Sequence, residues 1–270
     1  MQIERELILS HFCLQSADFT TRVEAARAAG FSGIGLWITE YERIRESGLS
    51  DATMLSILAD NDIGMPEIEV LTGWGGNDDE RRESRRQLDL ACHMADVFGS
   101  TYLQLIGPYE GELESAAERL HQVCVTANQH GLEISLEFLP VTNISNLADA
   151  VELISMAGND NLGICLDSWH FFRGNNDLSE LRSLGAEDIN LLQLNDGSTR
   201  AEDDNYIRDC LTNRRLFGQG EFPLRPFLQE IDTIGYCGPI SIEIMSTDLE
   251  AHAAKDAASA MLNSFHCFNS

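Results

Sequence analysis

The chain runs to 270 residues, 43% of them hydrophobic, with 44 acidic against 18 basic side chains and a formal charge of −26. This length suits one barrel-sized domain, and no apolar run approaches the roughly 18 residues that cross a bilayer. So few Lys and Arg argue against DNA, RNA and anionic membranes as partners, because phosphate is bound by basic groups that displace its counterions.

The amino terminus, MQIERELILSHFCL, mixes charges of both signs and has no signal-peptide apolar region with a small-residue cleavage site. Apolar runs then read as strands near 7–12 (LILSHF), 33–38 (GIGLWI), 64–70 (GMPEIEV) and 101–106 (TYLQLI). Four more follow near 132–138 (LEISLEF), 162–167 (LGICLD), 189–194 (INLLQL) and 239–244 (PISIEI). Amphipathic runs such as FTTRVEAARAAG and ESAAERLHQVCVTANQHG separate them, and Gly30, Gly99 and Gly131 stand where helices prefer their carboxyl-terminal caps. The basic cluster RRESRR at 81–86 alternates with acids and reads as a solvated helix face. Strands that are mostly continuous in apolar residues mark a parallel sheet buried on both sides. Eight such units predict an α/β fold, a single (β/α)8 TIM barrel over residues 1–270. The seven cysteines are scattered, odd in number and without a CxxC pair, which points to a reducing, cytoplasmic setting rather than a disulfide framework.

Four of the strands end on a side chain that can bind metal: Glu137, Asp167, Gln193 and Glu243. They are spaced by one or two strand-plus-helix units, and in a closed barrel such strand ends converge on one mouth. Taken singly, a strand-ending Glu is commonly a helix N-cap neighbour or an ion-pair partner. Four at consistent spacing point instead to an oxygen-rich, net-negative cage for one divalent ion. Glu67 and Glu69 alternate to one face of the third strand and, with Trp37, Trp74 and Gln104, are expected to line a pocket there. A long polar connection at 196–222 follows the seventh strand and is expected to fold over the mouth. Its Gly218-Gln219-Gly220 turn follows a loop rather than a strand, so it is no phosphate-binding fingerprint.

At these residues the chain resembles the xylose isomerase-like TIM barrels, which include sugar isomerases, ketose 3-epimerases, inosose dehydratases and 3-dehydroshikimate dehydratases. The resemblance is carried by residues 130–245 and is weaker in the first half. It implies metal ligands at Glu137, Asp167, Gln193 and Glu243. The D-x-x-H pattern from Asp167 to His170 implies a His facing the substrate. The family's Arg before a Gly-x-Gly turn looks like Arg215, with Arg214 adjacent. Gln193 departs from the His found in many of the epimerases and matches some of the dehydratases. Its neutral, harder oxygen favours Mn²⁺ or Mg²⁺, with Co²⁺ or Zn²⁺ as other candidates. The DNA-repair endonucleases of the same group carry extra His ligands that this chain lacks.

A divalent ion in such a cage polarises a substrate carbonyl and acidifies the neighbouring C–H. Glu137 and Glu243 could then take and return a proton, with His170 as a substrate ligand or acid/base. The expected activity is a metal-dependent isomerase or epimerase acting on a small sugar or polyhydroxylated carbonyl compound through an enediolate. The alternatives are a dehydratase of the 3-dehydroshikimate or inosose kind and a non-catalytic metal-binding partner subunit. Glu137, Glu243 and His170 are the expected catalytic groups, and His170, Arg215, Glu69, Trp37 and Gln104 the expected substrate contacts. The partner is a small sugar or cyclic polyol, and a homo-oligomer is compatible with the composition.

Overall fold

The computed structural model describes residues 5–269. Eight parallel strands close in sequence order into a barrel: β1 (Leu7–Leu9), β2 (Gly33–Trp37), β3 (Gly64–Leu71), β4 (Tyr102–Ile106), β5 (Glu133–Glu137), β6 (Leu162–Asp167), β7 (Ile189–Leu194) and β8 (Ile240–Ile242). In the first half, α1 (Phe19–Ala29) follows β1, and α2 (Ile38–Glu46) and α3 (Asp51–Asp60) follow β2. Next come α4 (Asp78–Phe98), after β3, and α5 (Leu113–Asn128), after β4. In the second half, α6 (Leu147–Ala157) follows β5, and α7 (Ser168–Arg173) and α8 (Leu178–Leu181) follow β6. The seventh connection holds α9 (Tyr206–Thr212) and α10 (Leu224–Ile234), and α11 (Thr247–Glu250) and α12 (Ala254–Phe268) complete the ring. No helix among the described residues is long and apolar enough to cross a membrane.

The eight strands fall where the apolar runs predict them, but the first and last are shortened to three residues each, so Glu243 lies just past β8. The first run stops at Leu9 because Ser10 turns the chain: its hydroxyl accepts from the Phe12 amide and opens a 3-10 turn at His11–Leu14. Of the predicted glycine caps, Gly30 and Gly99 end α1 and α4 in the left-handed conformation, whereas α5 caps at Gln129, two residues before Gly131. Asn77 and Glu80 form a reciprocal capping box at the start of α4, satisfying amides that the first turn leaves unpaired.

Side chains two apart share a strand face, and the two faces of this sheet differ in chemistry. The outward face and the inner stripes of the helices form one large apolar layer that includes Leu36, Leu103, Leu105, Ile134, Leu166 and Phe227. Inside the barrel the apolar cluster is small: Ile8, Cys165 and Leu191. Above it the lumen is polar. Glu67, Gln104, Ser135, Gln193 and Ser241 are all buried.

Candidate active site

Strand register brings the predicted residues to one level. Asp167 stands beside Gln193, and Gln193 beside Ser241, while Glu137 neighbours Cys165. Two residues beyond Ser241, on the same face, Glu243 reaches the carboxyl-terminal mouth. Asn195 takes the corresponding place above Gln193. Glu137, Asp167, Gln193, His170 and Glu243 are all buried there.

Asp167 is held rigidly on one side. Its Oδ1 accepts from the Trp169 amide at 2.8 Å and from Asn195 Nδ2 at 2.9 Å. Its Oδ2 has no hydrogen-bond partner among the described residues and faces the guanidinium of Arg214 at 2.9 Å. The same Arg214 nitrogen lies 2.9 Å from Glu243 Oε2, so one buried cation bridges two strand-end carboxylates. His170, from the first turn of α7, sets Nε2 3.3 Å from Glu137 Oε1 and 3.5 Å from Asp167 Oδ2. Its Nδ1 meets the Tyr206 hydroxyl at 2.6 Å.

A second layer lies deeper. Gln104 Nε2 donates to Glu137 Oε2 and to Gln193 Oε1, at 2.9 and 3.2 Å. Gln193 Nε2 donates to Glu67 Oε1 at 3.1 Å, and the Ser241 hydroxyl to Glu67 Oε2 at 2.6 Å. Glu69 accepts from the His11 amide at 2.7 Å and from the Ser10 hydroxyl at 3.0 Å, and the same hydroxyl lies 3.2 Å from Glu243. Gly35 makes room for this arrangement: a Cβ there would sit 1.8 Å from Glu69 Oε1.

Five carboxyl groups are thus buried, two of them paired with the Arg214 guanidinium, while the buried Arg22 lies near enough to Glu69 to feel its charge. Burial pushes the Glu137 carboxyl well above the usual range, and the charges of Asp167 and Glu243 add to the effect. Burial likewise raises Glu69 well above that range and Glu67 to about 8, and it raises Glu243 to about 7 against the pull of Arg214. Burial lowers His170 to about 4, so its ring is neutral near pH 7. A neutral ring in this setting keeps its proton on Nε2 toward the carboxylates and accepts from Tyr206 at Nδ1. Moving that proton to Nδ1 frees Nε2 as a ligand.

These residues fit a divalent ion. Glu137, Asp167 and His170 each place one donor atom within 4.8 Å of the others. The excess of buried carboxyl groups and the amide oxygen of Gln193 supply further reason, since a cation would offset negative charge beyond what the buried arginines balance.

One expectation changes. Arg215 does not reach the mouth. It pairs with Glu202 at 2.6 Å and is more than one-third exposed. The segment runs extended, bridged through Asp196 and Arg215, so adjacent side chains point to opposite sides and Arg214 is the one turned inward. The Gly218-Gln219-Gly220 turn is tied down: the amides of Gly218, Gly220 and Phe222 all donate to the Asp196 carboxylate, and a Cβ on Gly220 would lie 2.2 Å from it.

The remaining expected contacts divide. Gln104 and Glu69 lie in the polar lumen, while Trp37 is half-buried at the rim against Phe12 and His11. The long connection does fold over the mouth: α9 lays Tyr206 on His170, and Asp209 pairs with Arg173 at 3.0 Å. Sequence reasoning missed Tyr206, Ser10 and Asn195. Only Asn195 carried a local signal, its place two residues after Gln193.

The comparisons with known proteins agree with this fold. The 3-dehydroshikimate dehydratase of Pseudomonas aeruginosa is 26% identical over 243 residues, 87% of this chain and 37% of the dehydratase. The inosose isomerase of Halalkalibacterium halodurans is 26% identical over 145 residues, 53% of this chain and 50% of the isomerase. The chain therefore spans half or less of the length of these curated relatives. Among solved structures, that of the IOLI protein with a bound zinc atom superposes with a TM-score of 0.89 over 97% of each chain, at 16% identity. Residues 23–264 match the profile of the xylose isomerase-like TIM barrel, and the chain belongs to that family.

Proposed function

We propose that this barrel is a metal-dependent isomerase or epimerase that moves a carbon-bound proton next to the carbonyl of a small sugar or cyclic polyol. The observation that carries the reading is the convergence of Glu137, Asp167, His170, Arg214 and Glu243, all buried, at one mouth. Glu137, Asp167, Gln193 and Glu243 would hold the ion, with Mn²⁺ or Mg²⁺ suited to this oxygen-rich set. When bound, it supplies charge stabilisation at the substrate carbonyl.

The rest belongs to the chain's own groups. Glu137 ends β5 and Glu243 follows β8, so the two carboxylates approach a substrate from different sides. One can remove a proton while the other returns one. Arg214 fixes Glu243 and Asp167 through one nitrogen, and its Nε and Nη2 donate to the carbonyl and sulfur of Cys210, which hold the guanidinium in place. His170, oriented by Tyr206, binds or protonates a hydroxyl. Trp169 is a buried wall against Arg214, and α9 covers the rim, which keeps bulk water from the proton in transit.

A dehydratase is the second reading. The relative aligned over most of this chain is a 3-dehydroshikimate dehydratase, and elimination needs only one base, with His170 or Arg214 assisting the departing hydroxyl. The test is incubation with ketoses, inososes and 3-dehydroshikimate plus Mn²⁺, in H₂O and in D₂O, with product masses recorded. An isomerase or epimerase gives a product of unchanged mass in H₂O that gains deuterium in D₂O. A product lighter by one water selects the dehydratase. No reaction and no exchange with any of the three classes would remove the proposal.

A further inference from the structure

The RRESRR cluster does more than coat a helix. Arg82 pairs with Asp79, and Arg86 with Glu83 and Glu42, as a solvated face would. Arg81 is shared between Asp78 and the Gly76 carbonyl. Arg85 alone has no hydrogen bond or ion pair with any described residue. It lines a cleft of about 380 Å³ between α4 and α5.

Arg81 and Arg85 stand one helical turn apart on α4, and Arg119 faces them from α5. The Arg119 guanidinium donates to the Glu110 carbonyl at 2.5 Å, while its buried Nε has no hydrogen-bond partner. Ser84 and Gln122 add neutral polar groups, and the buried Trp74 forms a flat wall. No carboxylate lines the cleft. In a chain with 44 acidic and 18 basic residues, a cleft where Arg85 and Arg119 have no acidic partner, beside an Arg81 already paired to Asp78, stands out from the global charge.

We propose that this cleft is a binding site for a small organic oxyanion, separate from the mouth. Guanidinium forks match carboxylate and phosphate oxygens in pairs, and Lys would not supply that geometry. The volume lies within the range of small-molecule sites, and the Trp74, Leu88 and Val123 side chains suit a ligand with an apolar part. The negative field of the whole protein selects against polyanions, so a ligand of one or two charges is the fitting class. Trp74 also ties the cleft to the barrel: its indole N–H donates to the Ile106 carbonyl at the end of β4, at 2.9 Å.

Calorimetric titration of the whole chain at low ionic strength tests this, with inorganic phosphate and succinate as separate probes. Wild-type protein should bind at least one of them. Arg85→Met should weaken that binding by about tenfold or more, the loss expected for removing a paired charged donor, at an unchanged melting temperature. Arg182→Met, the same charge loss at an exposed site paired to Glu230, should bind as the wild type does. Preference for phosphate would assign a phosphorylated ligand, and preference for succinate a carboxylated one. Absence of binding to either probe, equal binding by Arg85→Met, or equal weakening by Arg182→Met would each overturn the site.

Discussion

The two faces of the barrel sheet solve opposite problems. Outward, Leu36, Leu103, Leu105, Ile134 and Leu166 pack against the helices, and the layer is apolar and continuous. Inward, the same strands present Glu67, Glu69, Gln104, Glu137, Asp167, Gln193 and Glu243, and the apolar part shrinks to Ile8, Cys165 and Leu191. TIM barrels ordinarily fill this lumen with layers of branched apolar side chains. Here the outer face stabilises the fold, and the inner face stores uncompensated charge that the outer face must hold in place.

The sharpest contrast comes from pairing a lumen substitution with an outer one. Glu243→Gln removes a carboxylate that can take up a proton and should lower turnover of the identified substrate by about 10²–10⁴-fold, the usual range for general acid–base groups. Circular dichroism should show the barrel intact, because Gln preserves shape and relieves burial of a charge. Leu105→Ala should do the reverse. It opens a cavity in the outer layer and should cost about 2–5 kcal/mol in chemical denaturation, with the kinetic constants of the remaining folded enzyme little changed. If Glu243→Gln unfolds the protein or Leu105→Ala is harmless, the division of labour is wrong.

Removing metal exposes the stored charge. Burial raises Glu67 to about 8 and Glu243 to about 7, above their unfolded values near 4.5. A carboxyl with a raised folded pKa binds more protons folded than unfolded, so its contribution falls as pH rises through that window. The lowered imidazoles of His11 and His170 act oppositely, but only below about 6.5. With chelator present, the melting temperature should therefore fall between about pH 6.5 and 8. Added Mn²⁺ should flatten or reverse that slope, because it favours the ionised carboxylates. A slope that ignores Mn²⁺ would separate the lumen charges from metal binding.

Smaller effects should come from the covering segment. Tyr206→Phe removes the hydroxyl that orients His170 and should shift the pH dependence of turnover, with a stability change of about 1 kcal/mol. Arg215→Ala breaks only an exposed pair with Glu202, a contact worth about 0–1 kcal/mol. Stopped-flow or steady-state kinetics should find it close to wild type. A large kinetic loss would mean that Arg215 turns inward when substrate binds.

The sequence made the barrel and its strand ends legible because both are local. Apolar runs of strand length with helical runs between them need no tertiary information, and Glu137, Asp167 and Gln193 are visible as the polar ends of such runs. What stayed hidden depends on partners distant along the chain. Arg214 is chosen over Arg215 by the bridge that Arg215 makes to Asp196, a register that spacing to the Gly-x-Gly turn does not reveal. The link from Gln104 through Gln193 to Glu67 crosses the lumen. Tyr206 reaches His170 from the start of α9, a short helix set over the mouth by the Arg173–Asp209 pair. The basic cluster read correctly as a helix face for Arg82 and Arg86, but which arginine faces a neighbouring helix is decided only by packing.

What most needs testing is whether the lumen carboxylates form one divalent-cation site. Titration of chelator-treated protein with Mn²⁺, followed by electron paramagnetic resonance of the free ion, addresses it without any substrate. The account predicts a single saturable site in the wild type and a loss of affinity of at least about tenfold in Glu137→Gln and Asp167→Asn, from removal of one ionic ligand each. Wild-type protein that leaves all Mn²⁺ free, or variants that bind it as tightly as the wild type, would contradict it.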